Sequence, residues 1–194
     1  MSSRRAVPRP KAICASPKQR SALSLEEIVD RYIHDYRPDA VEEIAYFANQ
    51  PSLDQAVELA AMSITQRGKR HPHQRRIPRV VLEEARNVLR SLPLKQCRSF
   101  HELFCCLSDN LDPIPGIGEL TVYDIATRMG AFLGLEPENV YLHAGTRAGA
   151  RALGLRDGAF LEPAELPAQF ARLKPREIED CLCIYKSHFG RAAA

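Results

Sequence analysis

Helical spacing of apolar residues is the feature that most constrains how this chain folds. From about residue 24 onwards, apolar side chains recur at intervals of three and four, and no segment has the strict alternation typical of a half-buried strand. The spacing predicts helices that begin near Ser24, Asp39, Ser52, Val80, Ser99, Glu119, Ala144 and Arg176. We therefore expect an all-α fold in the form of a compact multi-helix domain.

Domain organisation follows from where this periodicity starts. Residues 1–20 mix Pro, Ser, Arg and Lys without any period, which predicts a disordered basic arm. The chain has 194 residues, a length that suits one domain or two small ones. We expect residues 21–194 to form a single α-helical domain, with two helices and a tight turn at about residues 100–133.

Positive charge is concentrated in two segments. The net charge is +3, but residues 1–20 and residues 67–79 each carry six basic side chains and no acidic one. The rest of the chain has fifteen basic residues against all 24 acidic ones, a balance of −9. If the partner is a polyanion, the arm and the second segment, here called the basic loop, should attract it. The candidate contacts in the basic loop are Lys69, Arg70, Arg75 and Arg76. Alternatively, both segments are simply solvated.

Several classes of protein and site are not expected. No apolar run approaches the roughly 20 residues of a membrane-spanning helix, and the first residues have no apolar signal segment, so we expect a cytoplasmic protein without membrane contact. The six cysteines lack C-x-x-C spacing and are interpreted as reduced thiols. His71-Pro72-His73 has no carboxylate or cysteine nearby in sequence and is interpreted as solvated loop. We expect no metal and no cofactor.

The strongest local motif is the turn that precedes the long helix starting at Glu119. Its sequence is Ile114-Pro115-Gly116-Ile117-Gly118. Two glycines allow positive φ and a close approach of an anion, while amides at the start of the next helix attract a phosphate oxygen. Thr121 is placed to donate one more hydrogen bond. Glu119 suits the helix dipole but lies close to an incoming phosphate.

Residues 103–133 resemble the helix-hairpin-helix motif of DNA repair and DNA-binding proteins. Residues 140–143 (Val-Tyr-Leu-His) and 146–155 (Thr-Arg-Ala-Gly-Ala-Arg-Ala-Leu-Gly-Leu) are similar to the stretch that follows the hairpin in the helix-hairpin-helix DNA glycosylases of the endonuclease III group. The resemblance covers about residues 111–155. It implies a glycosylase-like helical fold and binding to duplex DNA through the phosphate backbone.

The catalytic residues of that family are not kept. The position of the lysine nucleophile is Leu120, so no Schiff base can form there. The position of the catalytic aspartate falls on Tyr141, His143 or Glu138, depending on the alignment. Neither Tyr nor neutral His supplies the negative charge that stabilises an oxocarbenium-like sugar. Arg147 is a further candidate contact to phosphate or substrate.

Three functions therefore remain open. The first is a binding protein that holds duplex DNA through residues 115–118, Thr121, Arg147 and the basic loop, without reading the sequence. The second is a monofunctional base-excision glycosylase that uses Glu138, His143 or Tyr141 as a non-standard catalytic residue. The third is a scaffold that binds another protein, which the excess of acidic residues outside the two basic segments favours.

Overall fold

The computed structural model describes residues 23–189, and this part of the chain is mostly helical. The helices are α1 (Leu25–Asp35), α2 (Arg37–Ala48), α3 (Leu53–Ala61), α4 (Arg79–Ser91), α5 (Phe100–Leu111), α6 (Glu119–Leu133), α7 (Ala144–Ala152), α8 (Pro175–Ile184) and α9 (Lys186–Phe189). The predicted all-α character is confirmed. The predicted basic arm, residues 1–20, lies outside the described residues.

Serine side chains begin three of the helices. Ser24, Ser52 and Ser99 each accept a hydrogen bond from the backbone amide three residues later. At α1 the capping box is complete, because Glu27 also accepts from the Ser24 amide. At α5 only the Ser99 half of such a box forms, since Glu102 accepts from the amide of residue 98 instead of that of Ser99. These caps satisfy amides that the helix itself leaves without acceptors.

Two very short strands interrupt the helical pattern. Strand β1 (Val140–Tyr141) pairs antiparallel with β2 (Phe160–Leu161), with Val140 opposite Leu161 and Tyr141 opposite Phe160. The sequence prediction missed them because two residues are too few to show alternation. The pair fixes the backbone just before α7 and so sets the position of residues 141–143.

Buried side chains form two core clusters. The first joins α3, α4, α5 and α6 with Phe47 of α2 and Tyr141 of β1. The second joins α1, α7, α8 and α9 with Val140, Leu161 and the segment that contains Phe170. Helices α7 and α8 cross so closely that a Cβ placed on Gly149 would lie 2.2 Å from the Leu182 carbonyl oxygen.

Helix length and hydropathy also bear on membrane contact. Within residues 23–189, no helix is both long enough and apolar enough to cross a bilayer.

Candidate functional site

The turn between α5 and α6 is built around one residue with positive φ. Gly116 has φ +98°, a conformation that side chains other than glycine rarely adopt. Ile114 and Ile117 flank it and are both buried against the first core, so they anchor the turn. Pro115 and Gly116 are exposed. The apolar anchors thus face inward while the backbone of the turn faces solvent.

Amides at the start of α6 are left without acceptors. Gly118 is the N-cap residue, and its carbonyl accepts from the amides of Thr121 and Val122, at 2.8 and 3.1 Å. Within the described residues, the amides of Gly118, Glu119 and Leu120 have no hydrogen-bond acceptor. A Cβ placed on Gly118 would meet no atom within 4 Å, so the space beside these amides is open.

The predicted role of the Thr121 side chain does not fit its position. Thr121 is 6 % exposed and lies on the inward face of the first turn of α6. A buried hydroxyl is not presented to a phosphate that approaches the surface. Any contact at this turn therefore depends on the backbone amides.

Glu119 and Arg147 form an ion pair beside these amides. The Arg147 Nη1 and Nη2 atoms lie 3.1 and 3.3 Å from the two Glu119 carboxylate oxygens. Nη2 also donates to the Leu142 carbonyl oxygen at 2.8 Å, and Nε lies 3.2 Å from Asp157 Oδ1. The pair offsets the negative charge of Glu119, so the acid stands beside the start of α6 with its charge balanced. Arg147 is correspondingly occupied and is not a free cation.

Most cations of the basic loop lack acidic partners, although Arg79 pairs with Glu83 at 2.8 Å. Arg67, Lys69, Arg75 and Arg76 are exposed, and none of them forms an ion pair with another described residue. Arg70 is half-buried and donates to the Ile77 carbonyl oxygen at 2.9 Å, which ties the two ends of the loop together.

The C-terminal end of the basic loop lies beside the turn before α6. Val81, in the first turn of α4, lies 3.5 Å from the position of a Cβ on Gly116. Because the basic loop ends where α4 begins, its last residues and the turn between α5 and α6 are neighbours.

A cavity of about 190 Å³ lies between this turn and β1. Its lining includes Phe104, Asp112, Glu119, Tyr123, Tyr141, His143 and Arg147. Two of the three candidate catalytic residues, Tyr141 and His143, therefore line it. Glu138 is exposed and is not among the lining residues.

Tyr141 is held inside an aromatic cluster. Its ring centroid lies 4.5 Å from that of Phe104 and 5.3 Å from that of Phe100, and its hydroxyl is 3.0 Å from His101 Nδ1. Burial raises the pKa of Tyr141, and the charge of Glu138 raises it further. The phenol stays protonated at neutral pH and supplies no negative charge to a sugar cation.

His143 has both ring nitrogens engaged. The Gly145 amide donates to Nδ1 at 3.2 Å, so the proton of the neutral ring is on Nε2, which donates to Glu179 Oε1 at 2.5 Å. Burial lowers the pKa of His143. The neutral imidazole therefore has no free nitrogen with which to accept a proton from water.

Sequence reasoning missed the carboxyl groups of α8. Glu179 is 5 % exposed, and burial together with the charges of Asp180 and Asp124 raises its pKa well above the usual range. Burial also raises the pKa of Asp180 to about 6, against the effects of a Tyr32 hydrogen bond and of Arg176. The signal was present in the sequence, because two acids stand between inward-facing Ile178 and Cys181.

These carboxyl groups line a second cavity, of about 120 Å³, between α2, α6, α8 and the basic loop. Its lining includes Glu43, His71, His73, Tyr123, Asp124, Thr127, Arg128, Arg176, Glu179 and Asp180. We call it the acidic cavity. His71, His73 and Asp124 are the group in it that could hold a metal ion. In sequence the two histidines have no carboxylate nearby, but the fold supplies one from α6.

No family model, curated protein or solved structure matches this chain.

Proposed function

We propose that the protein binds duplex DNA through its phosphate backbone, at a surface formed by the start of α6 and the basic loop. In this proposal α5, the turn and α6 act as a helix-hairpin-helix motif. The observation that carries it is the set of open, unpaired amides at Gly118, Glu119 and Leu120. Amides at a helix N-terminus attract phosphate oxygens through both hydrogen bonding and the helix dipole.

The distribution of paired and unpaired charge supports the same surface. Elsewhere in the described chain, arginines such as Arg37, Arg90 and Arg156 form ion pairs with acidic side chains. Arg67, Lys69, Arg75 and Arg76 of the basic loop do not, and the loop adjoins the turn before α6. Unpaired cations release counterions when they meet phosphates, which is the main source of sequence-independent affinity.

Binding rather than base excision is the activity that these contacts favour. A glycosylase needs a carboxylate or an activated base in the cavity beside the hairpin. Tyr141 is a protonated phenol there, His143 has no free nitrogen, and Glu138 lies outside the cavity lining. The two carboxylates that do line this cavity are engaged, Glu119 by Arg147 and Asp112 by the Ser108 hydroxyl. The proposal therefore assigns no catalytic role to these three residues.

Replacing Gly118 with glutamate tests the amides directly. The new side chain enters open space at φ −120°, so we expect it to fold normally and to repel phosphate. The affinity of the full chain for a labelled duplex, measured by fluorescence anisotropy at low salt, should fall at least about tenfold. Thermal unfolding of the same sample checks that the fold is kept.

Two control variants test whether the added Cβ, or the added negative charge at any position, is enough to weaken DNA binding. Gly118→Ala adds the Cβ without the charge, and Ser187→Glu adds the same charge at an exposed position of α9. Both should bind DNA within about twofold of the unchanged chain. Equal affinities for Gly118→Glu and the unchanged chain would rule out the hairpin as the contact. No binding at low salt would overturn the proposal and favour the protein scaffold.

The basic loop should govern the salt dependence. Arg75→Ala together with Arg76→Ala removes two exposed, unpaired cations. The slope of log affinity against log salt should become shallower by about one unit for each phosphate that the loop no longer neutralises. Anisotropy titrations at four or more salt concentrations give this slope, and the double variant Arg156→Ala with Arg172→Ala is a control of equal charge. An unchanged slope in the basic-loop variant would place the DNA elsewhere on the protein.

A further inference from the structure

Three potential metal ligands converge at the acidic cavity. His71 and His73 come from the basic loop and Asp124 from α6, and each offers a ligand atom within 4.8 Å of the other two. A zinc ion with bonds of about 2.1 Å at tetrahedral angles holds its ligands about 3.4 Å apart. His73 is exposed, so its side chain has room to rotate toward the other two ligands.

The two ring nitrogens of His71 have different surroundings. Its Nε2 lies 3.7 Å from Glu43 Oε2, while its Nδ1 is buried and has no hydrogen-bond partner among the described residues. In metal sites the histidine nitrogen that does not bind the ion commonly faces a carboxylate, which fixes the ring and the tautomer. With Nε2 protonated toward Glu43, the lone pair of Nδ1 is left for a cation.

Asp124 is held by the same kind of outer contact. The Gln74 side-chain amide donates to Asp124 Oδ2, and Gln74 is 1 % exposed. The Arg128 guanidinium lies 3.8 Å from the same oxygen, at the limit of an ion pair. The donor from Gln74 fixes the carboxylate while leaving its other oxygen free.

Two buried hydroxyl groups, those of Tyr123 and Thr127, also line the acidic cavity. Tyr123 is 4 % exposed, and neither hydroxyl has a hydrogen-bond partner on another element of the described chain. The two residues are one helical turn apart on α6, and the Thr127 hydroxyl lies close enough to Tyr123 to influence its pKa. If the two hydroxyls pair with each other, one donor is still left over, and a polar ligand or a metal-bound water would accept it.

The charge of the lining also suits a cation. Four carboxyl groups, those of Glu43, Asp124, Glu179 and Asp180, face the guanidinium groups of Arg128 and Arg176. Because burial raises the pKa of Glu179 well above its usual range, three carboxylates face the two guanidinium groups, and the cavity keeps a formal excess of one negative charge. This excess favours a cation over an anion.

We propose that His71, His73 and Asp124 bind one divalent first-row transition metal ion in the acidic cavity. Two imidazoles and a carboxylate form a mixed nitrogen and oxygen set that suits Zn²⁺, Mn²⁺, Fe²⁺ or Co²⁺ better than Ca²⁺ or Mg²⁺. Three protein ligands leave coordination positions open for water or a substrate oxygen, as in sites that act on a ligand. The proposal does not depend on DNA binding.

Cobalt titration of the chelator-treated full chain, free of any affinity tag, tests the site. We expect one Co²⁺ per chain, with visible d–d absorption and without the near-ultraviolet charge-transfer band of a thiolate ligand. Zn²⁺ added afterwards should displace the cobalt and provide its own affinity by competition. Asp124→Asn and His73→Ala should each weaken Zn²⁺ binding at least about tenfold. Because His73 is exposed, its removal leaves the core intact.

A matched variant and three contrary outcomes make the test decisive. His34→Ala removes an exposed histidine of α1 and should leave the Zn²⁺ affinity unchanged. The proposal is overturned if micromolar Co²⁺ does not bind. A thiolate band would also overturn it, since His101 and Cys105 lie 3.6 Å apart and offer a rival site. So would His73→Ala and Asp124→Asn proteins that bind Zn²⁺ as tightly as the unchanged chain.

Discussion

Replacing Gly149 with alanine is expected to lower the free energy of unfolding by about 3 kcal/mol or more. A Cβ at this position would lie 2.2 Å from the carbonyl oxygen and 2.9 Å from the carbonyl carbon of Leu182. Both are backbone atoms of α8, so they cannot rotate away as a side chain would. Either α7 and α8 separate where they cross or the second core opens. Urea unfolding followed by circular dichroism measures the change.

Gly118→Ala provides the matched control. It makes the same substitution where no atom lies within 4 Å, at the N-cap of α6. Alanine at an N-cap is disfavoured relative to glycine by under about 1 kcal/mol, so this variant should stay near the original stability. Similar unfolding midpoints for the two variants would mean that α7 and α8 do not approach as closely as described.

The second large effect is expected from Phe100→Ala, at about 3 to 5 kcal/mol. Phe100 is fully buried at the start of α5, with ring centroids 6.2 Å from that of Tyr123 and 5.3 Å from that of Tyr141. Its ring edge also fills the space beside Gly130 of α6. Truncation leaves a cavity where α5, α6 and β1 meet, and a cavity in a packed core is costly because its surroundings relax only partly.

Two companions check the origin of this loss by the same denaturant titration. Phe100→Leu retains much of the volume and should lose clearly less stability than the alanine variant. Val80→Ala removes apolar atoms from a side chain that is 68 % exposed, so it should change stability by no more than about 0.5 kcal/mol. A loss below about 1 kcal/mol in Phe100→Ala would contradict the close packing of α5 on α6.

The helices could be predicted from the sequence because their signals are local. Helix α6 runs from Glu119 to Leu133, as predicted, and Gly134 ends it with φ +73°. Apolar spacing and a single glycine are enough to set such bounds. The break at Tyr185 between α8 and α9 was not predicted, because the apolar spacing continues across it.

The sequence reveals a site built from contiguous residues but not one that depends on contacts between distant segments. The turn before α6 was found because its glycines and isoleucines are contiguous. The pair of His143 with Glu179 spans 36 residues, and the approach of Asp124 to His71 depends on how α6 packs beside the basic loop. Spacing along a chain reports neighbours on one helix, whereas these partners belong to different elements.

Helix α1 is synthesised first among the helices but assembles late, because it packs in the second core. The apolar side of α1, with Ile28, Val29 and Tyr32, belongs to the second core and packs against α8 and the segment that contains Phe170, which are synthesised after the first core. The first core, built from α2 to α6 and Tyr141, has its sequence complete much earlier. A nascent chain should therefore collapse around α6 first and hold α1 exposed to chaperones until α8 emerges.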